Sequence, residues 1–309
     1  MAHENSYSNG TGGRNGAWSS RVVAWLTAHG GRAGDLLLQS KVVVAVAAMV
    51  KVATVMAVLS VPANAAPVIA FLVTFSIYVH NDLTDLEEDS INDPDGVRFV
   101  KRWSGHLELA ATMSYALALG LALLGGPLAL LLTLFPGVVG ALYSKDLIRV
   151  GSARRLKEVL VVNTTVVAVA WAAVVALLPL AYAGLPIRAG GVLMFLVFVL
   201  RTFIAGELLN IRDVSGDAAA GVSTLPLAIG AGRTRLVLYA LDALTLGLLA
   251  AAAVEGVVGD EVVLAFVPAI LLSAFVSWRS GRTTDMSRLG LSRLAEYPLM
   301  LVCVLLVTL

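Results

Sequence analysis

The segment Asn81–Asp89 has the sequence NDLTDLEED and stands at the end of a long apolar run. Seven carboxylates lie between Asp82 and Asp95 inclusive, whereas the apolar run before them contains none. If the apolar helix continues into this segment, Asn81, Asp85 and Asp89 recur every four residues and share one helical face. Asp82 lies three residues before Asp85, so it falls on the same side. One helix end then presents several oxygen atoms together.

Acidic side chains placed so closely repel one another unless a cation lies among them. Ligand sets made only of oxygen atoms suit a hard cation, and Mg²⁺ usually keeps several waters and bridges a few carboxylates to substrate phosphates. We therefore expect Mg²⁺ to be the cofactor. The predicted ligands in this first acidic motif are Asn81, Asp82, Asp85 and Asp89.

A second acidic motif follows a later apolar run, where residues 207–217 have the sequence ELLNIRDVSGD. Its predicted metal ligands, Asn210, Asp213 and Asp217, are spaced i, i+3 and i+7. Two helix ends that face each other with such ligands can hold two Mg²⁺ ions against a diphosphate and neutralise charge on a leaving group. The two motifs together predict one metal site shared by two helices.

Composition places the chain in a membrane, because 58% of its 309 residues are hydrophobic and 14% are charged, with a mean hydropathy of +0.86. We expect an all-α integral membrane protein with about nine transmembrane helices around a central cavity open to the cytoplasmic side. The nine apolar runs are 38–60, 64–81, 106–125, 127–144, 158–182, 189–210, 234–254, 261–278 and 294–309.

The basic residues indicate the orientation of these runs. With the N-terminus inside, all but three of the 22 lysines and arginines fall in cytoplasmic segments, as the positive-inside rule requires. We therefore expect a multi-pass protein of the cell membrane in which both acidic motifs emerge on the cytoplasmic face. Residues 1–35 form a polar cytoplasmic tail, in which Trp18–Leu26 could form a short interfacial helix, and residues 36–309 form the transmembrane domain.

Polar residues inside the apolar runs divide into charged and neutral ones. An intramembrane charge is expensive and normally has a function or a partner, so Lys51 and Arg201 either face the cavity or are paired. For Arg201, Glu207 in the same helix is one possible partner, and snorkelling is another. Asn163, Thr164 and Thr165, in the fifth run, are expected to hydrogen-bond between helices. The single cysteine excludes a disulfide framework.

The acidic motifs resemble those of the UbiA superfamily of intramembrane prenyltransferases. That family has a first motif of the form N-D-x-x-D-x-x-x-D, which residues 81–89 match. Its second motif, D-x-x-x-D, is matched by Asp213 and Asp217, and residues 221–230 resemble the usual continuation. Between the motifs the family has a Tyr-Ser element followed by basic residues, which resembles residues 142–145 here. The resemblance extends over roughly residues 36–309.

This resemblance implies a function. Family members use Mg²⁺ to ionise a polyprenyl diphosphate and attach the allyl group to an aromatic or other lipophilic acceptor held among membrane lipids. Nucleic acid is not an expected partner. Cationic side chains would then share the charge of the leaving diphosphate. The residues implied in ionisation are Tyr143, Lys145, Arg149 and Lys157, and Arg98 is a further candidate for contacting the diphosphate.

The sequence also departs from the family pattern at the predicted cavity mouth. Gly96 stands where an arginine is expected after the first motif, and Arg98 comes two residues later. Lys145 and Asp146 follow the Tyr-Ser element where prolines are common. Two alternatives therefore stay open. One is a terpene cyclase of the same superfamily, which needs no acceptor. The other is a cation-coupled transporter, although transporters usually bind cations near the membrane midplane.

Overall fold

A computed structural model describes residues 41–87, 90, 93–144, 159–280, 282 and 292–308, with the backbone alone at 143, 144 and 220. Within these ranges the chain is helical and contains no β-strand. The predicted tail, residues 1–35, lies outside them. Nine long helices are present in the described ranges, and each overlaps one predicted apolar run. They are α1 Val42–Val58, α2 Ala66–Thr84, α3 Pro94–Leu124, α4 Pro127–Ser144, α5 Val162–Tyr182, α6 Ala189–Ala220, α7 Leu225–Val254, α8 Asp260–Arg279 and α9 Glu296–Thr308.

Helix α3 begins at Pro94, well before the apolar run that predicted it at 106. The reason is local: the Asp93 side chain accepts a hydrogen bond from the Gly96 backbone N–H at 2.9 Å, which caps the helix, and proline favours the first helical position. The polar first turns of α3 thus extend beyond its apolar part. Helix α6 extends past its apolar run in the same way, to Ala220.

Six of the described helices, α2, α3, α5, α6, α7 and α8, are long and apolar enough to cross a membrane. Helix α1 has 17 residues, and the apolar part of α4, Pro127–Leu142, is also shorter. At 1.5 Å per residue α1 is roughly 25 Å long, just under the hydrocarbon thickness of about 30 Å. Length and composition therefore support a multi-pass membrane protein and account for six of the nine predicted spans.

The helices form a closed ring. Each helix packs against the next one in the chain, and α9 packs against α1. Successive helices run in opposite directions, so the ends of α2, α4, α6 and α8 lie beside the beginnings of α1, α3, α5, α7 and α9. We call this the motif end, because both acidic motifs lie there. A hydrogen bond from Asn163 Nδ2 to the Ser223 carbonyl, at 2.9 Å, joins α5 to the α6–α7 loop at this end.

A buried charge network ties the second half of the ring together. The side chain of Arg201, in α6, is fully buried, and its Nε donates to Glu296 Oε1 of α9 at 2.8 Å. Its Nη1 donates to Asp242 Oδ1 of α7. The Ser273 hydroxyl of α8 donates to the same Asp242 oxygen at 3.0 Å. Arg201 is therefore paired across helices, and Glu207 is not the partner that it takes.

The same network reaches α1 through an aromatic ring. Lys51 Nζ, in α1, lies 4.0 Å from the centroid of the Tyr297 ring of α9. Arg293 also pairs with Glu296, and it donates to the Arg201 backbone carbonyl at 3.1 Å. Because α9 contacts both α8 and α1, these interactions lie where the ring closes. Both intramembrane cations predicted from the sequence thus have partners.

Removing the guanidinium of Arg201 should destabilise the ring. An Arg201→Met variant leaves Asp242 buried without its cation and Glu296 with Arg293 alone. Breaking a buried pair in this way typically costs about 3–5 kcal/mol and lowers the melting temperature by roughly 10 °C. Thermal unfolding of the purified protein in detergent would measure the change. Arg233, which is exposed, offers a matched control, and an equal effect of Arg233→Met would contradict this assignment.

Candidate active site

The first acidic motif lies at the end of α2. The helix runs into the motif as predicted but ends at Thr84, and Asp85 is its C-cap residue, donating its backbone N–H to the Asn81 carbonyl at 2.9 Å. Asn81 and Asp82 are thus helical, and Asp85 follows directly after the last turn. Asp89 lies outside the described residues, so the helical spacing holds for the first part of the motif.

Asp82 is paired with a lysine that the sequence analysis left without a role. Lys41 Nζ, at the beginning of α1, lies 3.0 Å from Asp82 Oδ2, and the two side chains are 27% and 15% exposed. The pair borders a cavity of about 20 Å³, which holds roughly one water molecule. The residues around this cavity are Lys41, Asp82, Leu86, Asp93, Gly96, Val97 and Val100. Asp93 thus lies on the same cavity as Asp82.

The second acidic motif lies entirely within α6. Asn210, Asp213 and Asp217 are all helical, so their predicted spacing does place them on neighbouring turns. Arg212 contacts both oxygens of Asp213, with Nε to Oδ1 at 2.6 Å and Nη2 to Oδ2 at 2.7 Å. The helix stops at Gly221, whose φ of 69° is in the left-handed region that favours glycine.

Glu207 lies one turn before Asn210 in α6 and stabilises the second motif. The sequence did not identify it as a site residue. Its carboxylate is fully buried and accepts hydrogen bonds from Thr164 Oγ1 at 2.6 Å, Asn210 Nδ2 at 3.1 Å and the Leu225 backbone N–H at 3.3 Å. These donors belong to α5, α6 and α7. With its amide nitrogen bound to Glu207, Asn210 keeps its carbonyl oxygen as the atom that can bind a metal.

Close packing of α5 and α6 brings these groups together. A Cβ atom added at Gly206 would lie 2.9 Å from Thr164 Cγ2, so only glycine allows this approach without a shift. Thr164 also bonds to its neighbour Asn163, which holds the Ser223 carbonyl of the next loop. The prediction of a hydrogen bond between helices is thereby confirmed for Thr164, whereas Asn163 bonds to the loop between α6 and α7.

The donor chemistry at the motif end fits a hard divalent cation, because the candidate ligands are carboxylate and amide oxygens on two helices. Among the described residues, no three His, Cys, Asp or Glu side chains converge into a complete metal site. Mg²⁺ does not require a complete protein cage, since waters and diphosphate oxygens fill its remaining positions. Residues Asn81, Asp82, Asp85, Asn210, Asp213 and Asp217 are the described candidates for holding it.

The predicted diphosphate contacts are less completely described. Lys145, Arg149 and Lys157 lie outside the described residues, and Tyr143 is described only by its backbone at the end of α4. Arg98 pairs with Asp95 one turn away on α3, and their side chains are 76% and 72% exposed. Its role at the diphosphate stays a prediction.

The fold and both motifs can now be compared with known proteins. The family model of the UbiA prenyltransferase family matches residues 37–293, which includes both acidic motifs. The chain belongs to the UbiA prenyltransferase family. The resemblance inferred from the motifs is therefore confirmed.

Two curated relatives of this family member have the same name, digeranylgeranylglyceryl phosphate synthase. The relative from Methanoculleus marisnigri is 34% identical over 179 residues, which is 56% of this chain and 59% of that protein. The relative from Methanopyrus kandleri is 28% identical over 242 residues, 75% of this chain and 84% of that protein. The alignment thus spans less than two thirds of the first relative and most of the second.

A solved structure shares the fold of this family member. A UbiA homologue from Archaeoglobus fulgidus, in a structure bound to GPP and Mg²⁺, has a TM-score of 0.63 and 16% sequence identity. The match covers 88% of this chain and 98% of that chain. The nine described helices are thus arranged as in a UbiA protein.

Replacing Glu207 by glutamine should weaken metal binding at the second motif. Glutamine offers one acceptor oxygen in place of two and brings an N–H₂ group among three donors, so the amide of Asn210 loses its fixed orientation. Loss of such a supporting contact usually weakens metal affinity about 10- to 100-fold. Titration with Mn²⁺ in the presence of pyrophosphate, followed by electron paramagnetic resonance of the free ion, would measure it. Glu255→Gln, at an exposed position, is the control; equal affinities in the two variants would argue against this role.

Proposed function

We propose that this protein transfers a prenyl group from a polyprenyl diphosphate to a lipophilic acceptor in the membrane, with Mg²⁺ held by both acidic motifs. One observation carries this proposal. The motifs of a UbiA family member, at the ends of α2 and α6, lie at the same end of one closed helical ring. Ligands on two separate helices at one end are the arrangement that a diphosphate bound through metal ions requires.

The chemistry follows from the charges at the motif end. Bound Mg²⁺ would supply positive charge to the departing diphosphate, which is a poor leaving group while its charge is concentrated. Asp82 and Asp85 would hold one side of the site, and Asp213 and Asp217 the other. Glu207 would orient Asn210. Cationic side chains predicted from the sequence, Lys145, Arg149 and Lys157, would take up the remaining negative charge.

Ionisation leaves an allylic cation, which must be protected from water. Tyr78 lies one helical turn before Asp82, and its ring is 5.8 Å from that of Trp171 in α5. Trp171 is buried, and α5 is the most buried of the six candidate spans. Aromatic faces in such an environment stabilise a cation by about 1 kcal/mol or more. The apolar layer beneath the motifs would thus shelter the cation until the acceptor attacks.

The names of the two relatives favour a particular acceptor. Both are digeranylgeranylglyceryl phosphate synthases, so we propose an acceptor whose polar part is a glyceryl phosphate. We also propose that the motif end and the N-terminus face the cytoplasm, because the loops of this end carry most of the basic residues. A water-soluble diphosphate head would then reach the site from the cytoplasm, while its prenyl chain stays in the membrane.

The cyclase alternative is separated from transfer by its products. Purified protein would be incubated with Mg²⁺ and geranyl, farnesyl or geranylgeranyl diphosphate, with and without a prenylated glyceryl phosphate. We expect diphosphate release only when the acceptor is present, together with a product that contains both groups. A cyclic hydrocarbon or alcohol formed without acceptor would replace the transferase proposal by a terpene cyclase.

Removing one carboxylate from either motif should abolish turnover. Asp85→Ala and Asp213→Ala each remove a proposed ligand, so release of diphosphate should fall by at least about a thousandfold, as should wild-type activity in excess EDTA. Detergent extraction and helical circular dichroism would check that the variants remain membrane-inserted and folded. Asp260→Ala, exposed at the opposite end of the ring, should retain activity. Full turnover in both motif variants would eliminate the two-motif metal site.

A further inference from the structure

Lys41 combines an unfavourable backbone conformation with a largely buried ion pair. It precedes the first turn of α1 with φ 62° and ψ 5°, a left-handed conformation that is unfavourable for a residue with a Cβ atom. Its ammonium lies 3.0 Å from Asp82 Oδ2, although three quarters of its side chain is buried. Such strain is often found where a residue is held for a functional reason.

We propose that the ammonium group of Lys41 pairs with Asp82 while the site holds no metal. When metal binds, this ammonium group moves from Asp82 to the diphosphate of the substrate. Metal binding and diphosphate binding would then depend on each other. This inference rests on the proposed function, since it concerns how the same site is filled.

Electrostatics and space lead to this exchange. Mg²⁺ binds carboxylate oxygens at about 2.0–2.1 Å, and an ammonium group on the same carboxylate repels a dication. A Mg²⁺ ion bound to Asp82 Oδ2 would lie at most about 5 Å from the ammonium of Lys41, because Lys41 Nζ is 3.0 Å from the same oxygen. The ammonium of Lys41 must therefore leave Asp82 when metal binds there.

The described residues around this cavity offer a released lysine one other acid. The other acid on this cavity, Asp93, already accepts the Gly96 N–H as the cap of α3. Arg98, the other described candidate for contacting the diphosphate, is already paired with Asp95. The diphosphate brings several negative oxygens to the metal, and a flexible lysine binds phosphate as a point charge. Lys41 would thus weaken the binding of metal alone and strengthen the binding of diphosphate to the metal-loaded site.

This exchange predicts two changes of opposite sign in a Lys41→Met variant, which keeps the length of the side chain but not its charge. Without diphosphate, the affinity for Mn²⁺ should rise about tenfold, because the competing cation is gone. With saturating Mg²⁺, the affinity for pyrophosphate should fall about tenfold. Electron paramagnetic resonance of free Mn²⁺ and calorimetric titration of pyrophosphate would give the two values.

Two further variants control for charge and folding. Lys101→Met removes an exposed lysine from α3 at the same end of the ring, and both affinities should stay near the wild-type values. Lys41→Arg keeps the cation and should restore both affinities toward the wild type. If Lys41→Met does not fold, Lys41→Gln serves the same test. A purely structural ion pair between α1 and α2 would instead lower both affinities or leave both unchanged, which would overturn the inference.

The same measurements separate this inference from the proposed function. Wild-type protein that binds pyrophosphate only with divalent metal supports the metal site, whatever Lys41 does. Wild-type protein that shows no metal-dependent binding of pyrophosphate would overturn the proposed function and this inference together. Normal wild-type binding with no opposite response in Lys41→Met would overturn the inference alone.

Discussion

The guanidinium of Arg201 joins helices that are far apart in the sequence. A charged group among apolar helices is stable only when its hydrogen-bonding capacity is satisfied, and here the partners, Asp242 and Glu296, come from α7 and α9. Because the guanidinium and the two carboxylates must face one another to be satisfied, their pairing fixes how α6, α7 and α9 are rotated about their axes. Since α6 carries the second acidic motif, the orientation of that motif depends on a network deeper in the bundle.

The two acidic motifs are stabilised in different ways. Asp82 has a cation beside it, Lys41 of α1, so that part of its charge is neutralised by direct pairing. The second motif rests on a buried carboxylate, Glu207, which collects hydrogen bonds from three helices and holds Asn210 by its amide nitrogen. One side of the candidate site is therefore kept in place by an ion pair between α1 and α2. The other is kept in place by a rigid set of hydrogen bonds, which suits a site that must receive charged groups without losing its shape.

Features with a periodic or local cause could be predicted from the sequence. Each apolar run predicted a helix, and the spacing of Asn210, Asp213 and Asp217 predicted neighbouring turns, because the helical period alone determines both. The beginning of α3 could not be found in the same way. It is set by the cap at Asp93, in a polar segment that has no apolar period.

Contacts between distant segments had no such local signal. Lys41 looks like any basic residue just before a helix, and its pairing with Asp82 appears only once α1 and α2 are antiparallel neighbours. Glu207 is one acid among several near the second motif, and its importance depends on Thr164 and Leu225, which other helices bring to it. The partners of Arg201 could not be predicted either. Glu207, the one considered in the same helix, lies six residues later on a different face of α6, and other helices bring Asp242 and Glu296 to Arg201. Three-dimensional packing decides all three cases.

The position of Glu296 in α9 has a consequence for biosynthesis. Arg201 and Asp242 are synthesised and enter the membrane before Glu296 exists, so the guanidinium has only one of its two carboxylate partners during that interval. Helix α9 supplies the second carboxylate when it packs into the bundle, because Glu296 Oε1 accepts from Arg201 Nε. The last described helix thus completes the ion pairing of Arg201, and a chain whose α9 has not yet joined the bundle holds that guanidinium with Asp242 as its one carboxylate partner of the two.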